Sequence, residues 1–485
     1  MVSDMKRELA AERFTEGVEG ALTAQVSWSD RVLETLIGSI TKDVGRTVPA
    51  ILSLIDKINP VAEYRPMIAA VRRRWDEDEK WRTVVAHLHP NPRMVRHLVK
   101  TWALKGYVQG QKKRQEATRS LGFRPPSFIL LDPTEACNLR CRGCWAGKYQ
   151  VRTLPWEVVD RVLNEAKDLG IHWVVLSGGE PFAYRHLRKM LAKHQDIMFM
   201  AYTNGTLISD QVADWLADLG NLSPVISLEG FQEETDARRG AGVYEQIMAA
   251  MDRLRARGLV FGASLTVTSH NVYELFSDRF IDHLIDKGVL YAWSFHYVPI
   301  GRDPDLSLMI SPEQRAWLYH RVRELRATKP IFIADFWNDG PYVGGCIAGG
   351  RQYVHINANG DVEPCAFFHF STENVQEKPL AETLKSPLFA AFRARQPFHP
   401  NLLTPCPIID HPQMLRDMVA EANARPTHTG AEDITRDDVA RALDQRATEW
   451  LAQADELEKK SAAGVAAVGP ARGTGTGSAT AGRTV

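Results

Sequence analysis

The segment Cys137-Asn138-Leu139-Arg140-Cys141-Arg142-Gly143-Cys144 places three cysteines within eight residues, directly after the apolar run Phe128 to Leu131. Thiolates are soft ligands and suit iron–sulfur clusters or zinc. A 4Fe–4S cluster takes four ligands. A loop of spacing C-x3-C-x2-C offers three and leaves one iron for a chelating small molecule. A structural zinc site is usually closed by a fourth Cys or His at short spacing. The nearest downstream candidate here, His172, lies far outside the loop. An open cluster and a zinc knot are therefore the two readings of this loop taken alone.

The rest of the composition narrows the setting. A chain of 485 residues suggests two or three domains. A hydrophobic content of 44% with 24% charged residues is that of a globular protein. The formal net charge of zero supplies no global field for nucleic acid, and none is expected as a partner. The six cysteines, at 137, 141, 144, 346, 365 and 406, fall into a tight trio and a spread trio. That grouping fits metal ligation in a reducing compartment better than disulfides. No basic segment followed by an apolar one opens the chain, and no apolar run approaches the roughly 20 residues of a spanning helix. The expectation is a cytoplasmic protein, soluble or peripheral at a membrane surface.

Along the chain, residues 26–59 carry apolar residues at helical spacing, punctuated by Pro49 and Pro60 into two helices. From Pro92 to Arg124 the balance turns basic, with Met94, Val95, Leu98, Val99, Trp102 and Leu104 interleaved among the cations. This pattern reads as a helical extension packed on a catalytic domain, or as an amphipathic surface touching anionic lipid. RNA binding is disfavoured, since no aromatic platform accompanies the charge.

From Ser127 short apolar runs alternate with amphipathic segments. Strands are predicted at Phe128–Asp132, Trp173–Leu176, Met198–Tyr202, Val225–Leu228, Val260–Thr266 and Trp293–Val298, with helices between them. The expected fold is α/β: a partial (β/α)6 barrel with a helical N-terminal extension and a small C-terminal α+β domain. Ligands gather at the C-terminal ends of the strands in such folds. The polar motifs fall there. After the second strand comes Ser177-Gly178-Gly179-Glu180-Pro181, after the third Thr203-Asn204-Gly205-Thr206, and after the fourth Ser227-Leu228-Glu229-Gly230.

Together the cysteine loop and these strand ends resemble the radical S-adenosylmethionine (SAM) superfamily. The resemblance implies that Cys137, Cys141 and Cys144 hold a 4Fe–4S cluster whose open iron binds SAM. It assigns Gly178, Gly179, Glu180 and Pro181 to the methionine amino group, and Thr203 and Asn204 to a neighbouring turn. Ser227 and Glu229 go to the ribose region, where family members often carry Asp in place of Glu229. Arg238 or Arg239 could meet the SAM carboxylate as a bidentate pair; a surface salt bridge is the other reading. Ser264, Thr266 and Asn271 are further candidates, and Tyr297 to Gly301 would border the adenine. The aromatic residue usual before the third cysteine is missing. Gly143 stands there, and Trp145 follows the cysteine.

Beyond residue 330 comes a strand-like run, Ile331–Asp335, then Cys346 and Tyr353 to Cys365 with Asn359-Gly360 between two strand-like halves. Asn-Gly in that setting signals a hairpin. Cys406 follows in Pro405-Cys406-Pro407. The pattern C-x13-G-x4-C with a distant cysteine resembles the SPASM and twitch extensions of radical SAM enzymes, which carry auxiliary 4Fe–4S clusters. It implies that Cys346, Cys365 and Cys406 hold a second cluster, with Asp410 or His411 as possible fourth ligands. A zinc site and buried free thiols are the alternatives. The domains expected are 1–124 helical extension, 125–330 radical SAM core, 331–425 auxiliary-cluster domain, 426–460 a C-terminal helix and 461–485 a disordered tail.

The resemblance further implies an oxidoreductase that cleaves SAM reductively to a 5′-deoxyadenosyl radical. A reductant such as flavodoxin or ferredoxin would feed it. The radical would abstract a hydrogen from a substrate; Asp335, Trp337, Asp339 and Tyr342 lie between barrel and auxiliary site, where it should sit, and domain packing is the other reading of each. The basic amphipathic segment favours a lipid or other apolar small molecule as substrate. A ribosomal peptide is the alternative, since many relatives with such extensions modify peptides. A non-catalytic iron–sulfur scaffold is the third reading.

Overall fold

The computed structural model describes residues 90–147 and 151–467, with isolated positions between 38 and 82. The two helices expected in 26–59 and the end of the tail, 468–485, lie outside the described residues.

Nine strands form one sheet in the order β7-β6-β5-β4-β3-β2-β1-β8-β9. They are β1 Phe128–Leu131, β2 Trp173–Leu176, β3 Met198–Thr203, β4 Leu222–Leu228, β5 Gly262–Val267, β6 Tyr291–His296, β7 Phe332–Asp335, β8 Tyr353–Ile356 and β9 Val362–Glu363. All neighbours are parallel except β8 and β9, which form the antiparallel hairpin that Asn359-Gly360 announces. A parallel sheet is covered on both faces, so its strands are apolar on both sides. Alternate residues divide between two cores. Ile129, Leu131, Val174, Leu176, Phe199 and Ala201 pack outward against the helices. Leu130, Val175 and Met200 pack inward with Tyr297, Trp337, Phe368 and Phe392.

The crossover helices follow from spacing and caps. Trp156–Asp168 buries Val159, Val162, Leu163 and Ala166, one helical stripe. Ser209 accepts from the Val212 N–H to start Asp210–Leu219, and Gly220, left-handed at φ 72°, ends it. β4 begins before the expected Val225 and runs through Pro224. Its pairing with β3 starts at Leu222, whereas its pairing with β5 starts only at Val225. Pro224 thus lies where one edge of the strand is still open, a position that tolerates a missing N–H.

The sheet does not stop at residue 330. The helix Pro312–Thr328 leads into β7, which pairs with β6, and β8 joins the free edge of β1 in register Phe128↔Tyr353 to Leu131↔Ile356. Cys346, between β7 and β8, and Cys365, just after β9, are therefore carried by the same sheet as the first trio. Helices Pro387–Arg395 and Pro412–Glu421 cover the inner core, and the short helix Leu380–Thr383 packs into the outer one. The last helix, Asp437–Ala467, runs past residue 460, where the sequence suggested disorder. The alanine-rich stretch Ser461 to Ala467 has the composition to continue a helix already started.

The basic segment docks at the opposite end from the motifs. Asn91 caps Pro92–Arg96 and donates its N–H to Gly258 O at 2.8 Å. Met94 and Val95 are buried, and Arg114 Nη1 donates to Gly170 O at 2.7 Å. Gly170 and Gly258 lie just before β2 and β5, at the N-terminal ends of the strands. The apolar face of this part of the segment is thus used against the barrel floor. No described helix is long and apolar enough to cross a membrane.

Candidate active site

Cys137, Cys141 and Cys144 line a cavity of about 170 Å³ at the C-terminal ends of the strands. Ser177, Gly178, Gly179, Thr203, Asn204 and Ser227 line it too, as do Arg238, Arg239, Ser264, Thr266 and Tyr297. Every strand end singled out in the sequence therefore contributes to one space.

Hydrogen bonds from one direction and close packing from two others fix this loop. Asn138 Nδ2 donates to Thr206 Oγ1 at 2.7 Å, and Asn204 Nδ2 donates to Asn138 Oδ1 at 2.9 Å. The β3 turn thereby grips the cysteine loop. Gly179 packs on the residues before Cys137 so closely that a Cβ there would fall on the Ala136 carbonyl oxygen. Gly143 has φ 62°, and a Cβ on it would meet the Tyr297 ring at 2.8 Å. The space that the sequence leaves empty before the third cysteine is filled by an aromatic ring from beyond β6.

Four of the sequence candidates, Glu180, Pro181, Glu229 and Asn271, hold the wall without facing the cavity. Glu180 is 1% exposed. It accepts from Thr203 Oγ1 at 2.7 Å, Asn204 N at 2.8 Å and Phe182 N at 3.0 Å. Burial raises its pKa despite these donors. Pro181 begins the turn that Glu180 caps. Glu229 is buried and takes Arg238 Nη1 at 2.6 Å and Arg239 Nε at 2.5 Å. Burial opposes its ionisation, yet the two guanidiniums prevail and hold its carboxyl below the ordinary range. Arg238 also donates to Arg142 O at 3.1 Å and Gly143 O at 3.3 Å, so the Glu229–Arg238 pair clamps the cysteine loop from behind. Arg239 was one of two alternatives in the sequence. Its Nη1 lies 4.0 Å from Cys141 Sγ, close enough to offset thiolate charge. Asn271 does not face the cavity: its amide bridges Glu229 O and Thr266 O at 2.9 and 3.0 Å, tying β4 to β5.

The second trio lines a cavity of about 740 Å³ with aromatic walls. Cys365 and Cys406 are buried, and Cys346 is half-buried. Burial pushes the Cys346 and Cys365 thiols up to about 11 and about 12. Tyr353 OH donates to Cys365 Sγ at 3.0 Å. The proposed fourth ligands are committed elsewhere. Asp410 is bound by Arg315 Nη1 at 2.5 Å and by the Cys406 N–H at 3.0 Å, and His411 Nε2 contacts Thr404 O at 2.9 Å.

The donor sets fit iron–sulfur clusters. Cys137, Cys365 and Cys406 each accept from the N–H two residues on, of Leu139, Phe367 and Ile408, at 3.4, 3.5 and 3.4 Å. Such donors stabilise sulfur charge in a cluster. Among the described residues no group of three or more His, Cys, Asp or Glu forms a site for a single metal ion. The two trios instead each surround a cavity, as a polynuclear cluster requires.

A buried network that sequence reading missed joins the two sites. His355 on β8 has Nδ1 at 2.6 Å from Glu363 Oε2 and Nε2 at 2.8 Å from Asp132 Oδ2, the latter off the N–H axis. Asp132 also accepts from Ser177 Oγ at 2.5 Å. Burial disfavours the imidazolium, but Asp132 and Glu363 outweigh it and raise the His355 pKa to about 10. The glycine loop of the first site is thus tied to the strand that ends in Cys365.

Residues 131–273 match the family model of the radical SAM superfamily. These residues form a radical SAM domain. Residues 346–407 match the SPASM model, an iron–sulfur cluster-binding domain, and contain the whole second trio. The radical SAM chain is 27% identical over 306 residues to the AdoMet-dependent heme synthase of Nitratidesulfovibrio vulgaris, covering 56% of this chain and 82% of that one. It is 29% identical over 313 residues to the pre-heme d1 synthase of Dinoroseobacter shibae, covering 56% and 76%. The mycofactocin maturase MftC of Mycobacterium ulcerans is 29% identical over 262 residues, covering 51% and 70%. The protein is accordingly an enzyme that uses a 4Fe–4S cluster and SAM, with a SPASM domain for auxiliary cluster binding.

Proposed function

We propose that this enzyme abstracts hydrogen from an apolar group of its substrate, held between the two cysteine trios. The observation that carries this reading is the shared wall. Trp293, Phe336, Ile347 and Phe367 line both cavities, so a group lying between the trios meets hydrocarbon and aromatic faces. The guanidiniums that border the space are engaged by acids of the chain: Arg238 and Arg239 by Glu229, Arg326 by Asp339. A multiply carboxylated substrate would find little to neutralise it. An apolar small molecule or lipid meets this requirement, and so does an apolar side chain of a peptide.

In this reading Cys137, Cys141 and Cys144 hold the cluster that, once reduced by a flavodoxin or ferredoxin, supplies the electron for SAM cleavage to a 5′-deoxyadenosyl radical. Ser177, Asn204, Ser227, Ser264 and Thr266 present polar atoms to the cofactor. Gly178 and Gly179 let the backbone approach it closely. The Glu229–arginine pairs and Glu180 keep the loop and the β3 turn rigid, which fixes the target C–H against the radical. The aromatic wall excludes water from that contact. Cys346, Cys365 and Cys406 would hold the auxiliary cluster, positioned to take part in oxidation of the substrate.

Anaerobic reconstitution tests the reading. Iron counting should return roughly eight irons per chain, falling to about four when Cys346, Cys365 and Cys406 are replaced by Ala. Organic-phase and aqueous cell extracts would then be compared for stimulation of 5′-deoxyadenosine formation. The apolar fraction is expected to stimulate it. Stimulation only by polycarboxylated compounds would overturn the reading.

A further inference from the structure

Cys346 is the half-buried member of the second trio, and the chain turns back on it at once. Gly349 and Gly350 take φ 66° and 80°, and the Gly349 N–H donates to Pro364 O at 2.8 Å. A Cβ on Gly349 would run into the Phe392 ring, so this reversal needs glycine. The reversal returns Arg351 to Cys346. Arg351 Nε donates to Cys346 O at 2.7 Å, and Nη2 donates to Val343 O at 2.7 Å and to Gly345 O at 3.1 Å.

All of these acceptors are neutral. Among the described residues no carboxylate pairs with Arg351, although its side chain is half-buried. The acids near this trio are held by other groups: Asp339 by Arg326, Asp410 by Arg315 and Asp335 by Asn338. Burial opposes the charge on Arg351, but a guanidinium keeps its proton in a protein. A cation drawn out of water without a counter-ion costs free energy. The nearest group that can carry the missing negative charge is the Cys346 thiolate and whatever it ligates.

We propose that Arg351 is a positioning residue for the auxiliary cluster, fixing the turn that carries Cys346 and supplying the positive charge that offsets the thiolate charge. This rests on the reading that Cys346, Cys365 and Cys406 hold that cluster. Arg351 does not line the cavity of the second trio; it stands behind Cys346 and acts through it. Net charge is one of the quantities that set a cluster's potential, and reduction makes the cluster more negative. A fixed cation beside a ligand therefore favours the reduced state and raises the potential. A raised potential suits the second trio to taking part in oxidation of the substrate.

Two substitutions separate charge from hydrogen bonding. Arg351→Gln keeps N–H donors for the carbonyls and loses the charge, whereas Arg351→Lys keeps the charge and loses the fork. Each reconstituted holoenzyme is counted for iron and titrated anaerobically with dithionite and mediators, followed by electron paramagnetic resonance. At the wild-type midpoint of the auxiliary signal, the ratio of reduced to oxidised cluster should fall about ten-fold in Arg351→Gln. In Arg351→Lys it should stay within about two-fold of wild type. The signal from the first trio should stay in place in both. Loss of the auxiliary irons in Arg351→Gln alone supports the same assignment, since charge then decides whether the cluster is kept. An unshifted Arg351→Gln would overturn the proposal. So would Arg351→Lys falling as far as Arg351→Gln, or loss of the auxiliary irons in both, since each describes a clamp on carbonyls and nothing more. The titration needs neither substrate nor turnover. A wild-type holoenzyme with only the first signal refutes the two-cluster reading itself, whereas a second signal indifferent to Arg351→Gln refutes this inference alone.

Discussion

The two cysteine trios are made in opposite ways. Cys137, Cys141 and Cys144 come from one eight-residue loop and face hydroxyls, an amide and guanidiniums. Cys346, Cys365 and Cys406 come from three separate segments and face Trp337, Phe367 and Ile408. The first site is local in the chain and polar around its opening, as suits a polar, exchangeable cofactor. The second exists only once β8 has joined β1, and its walls are those of a hydrophobic core. Few polar donors reach its sulfurs: Tyr353 OH and the Phe367 N–H reach Cys365, and the Ile408 N–H reaches Cys406. One trio is built to admit a small charged molecule and the other to hold charge away from water.

The largest expected effect separates the trios outright. Replacing Cys137, Cys141 and Cys144 by Ala should take 5′-deoxyadenosine formation to background, a fall of at least about a thousandfold. Cys365→Ala should leave uncoupled SAM cleavage within a few-fold of wild type. Quantifying 5′-deoxyadenosine after anaerobic reconstitution decides it. Equal losses in both variants would break the division of labour.

Next comes the clamp behind the first trio. Glu229 is buried with two guanidiniums on it, and removing one partner of a buried pair costs about 3–5 kcal/mol. Glu229→Gln should lower the urea midpoint and SAM cleavage together, since Arg238 also holds the Arg142 and Gly143 carbonyls. Arg239→Lys keeps the charge and loses the fork, and should fall between wild type and Glu229→Gln. A variant of normal stability that cannot cleave SAM would place Glu229 on the cofactor instead of behind it.

The link between the trios titrates. His355 has a folded-state pKa raised to about 10 from an ordinary value of 6.5. A group raised on folding contributes fully below its unfolded pKa and loses that contribution as pH rises through the folded one. Stability should therefore decline between about pH 6.5 and pH 10, by an amount on the order of a few kcal/mol. His355→Gln should flatten that slope. Urea melts at pH 7 and pH 9.5 check the sign, and a wild type that gains stability over this window would refute it.

What could be read from the sequence follows the same local and non-local division. The first loop, the strand ends and the Asn359-Gly360 hairpin are short-range patterns, and the sheet forms where they indicated. The role of Arg238 and Arg239 was undecided, because a helix-end Arg pair looks alike whether it faces solvent, cofactor or a buried acid. The basic stretch after Pro92 left packing on the catalytic domain and a lipid surface both open, because hydropathy alone does not distinguish a membrane from the floor of a barrel. The pairing of β8 with β1, the Tyr297 ring over Gly143 and the meeting of Ser294 with Asp335 all join residues far apart in the chain. No local periodicity encodes them. The missing aromatic before Cys144 was a visible departure whose compensation lay some 150 residues away.

The smallest expected effect tests how the second trio is tuned. Tyr353 stacks on Phe128 with centroids 5.2 Å apart and donates its hydroxyl to Cys365 Sγ. Tyr353→Phe keeps the stack and deletes one donor. The fold should persist, with a stability change within about 1–2 kcal/mol. Hydrogen bonds to cluster sulfur stabilise the more negative, reduced state, so their loss lowers the reduction potential. An anaerobic redox titration followed by electron paramagnetic resonance should therefore show the auxiliary signal moving to lower potential, while the signal from the first trio stays in place. Movement of the first signal instead would mean that the β1–β8 junction carries the effect across the sheet. The two sites would then be electronically less separate than their walls suggest.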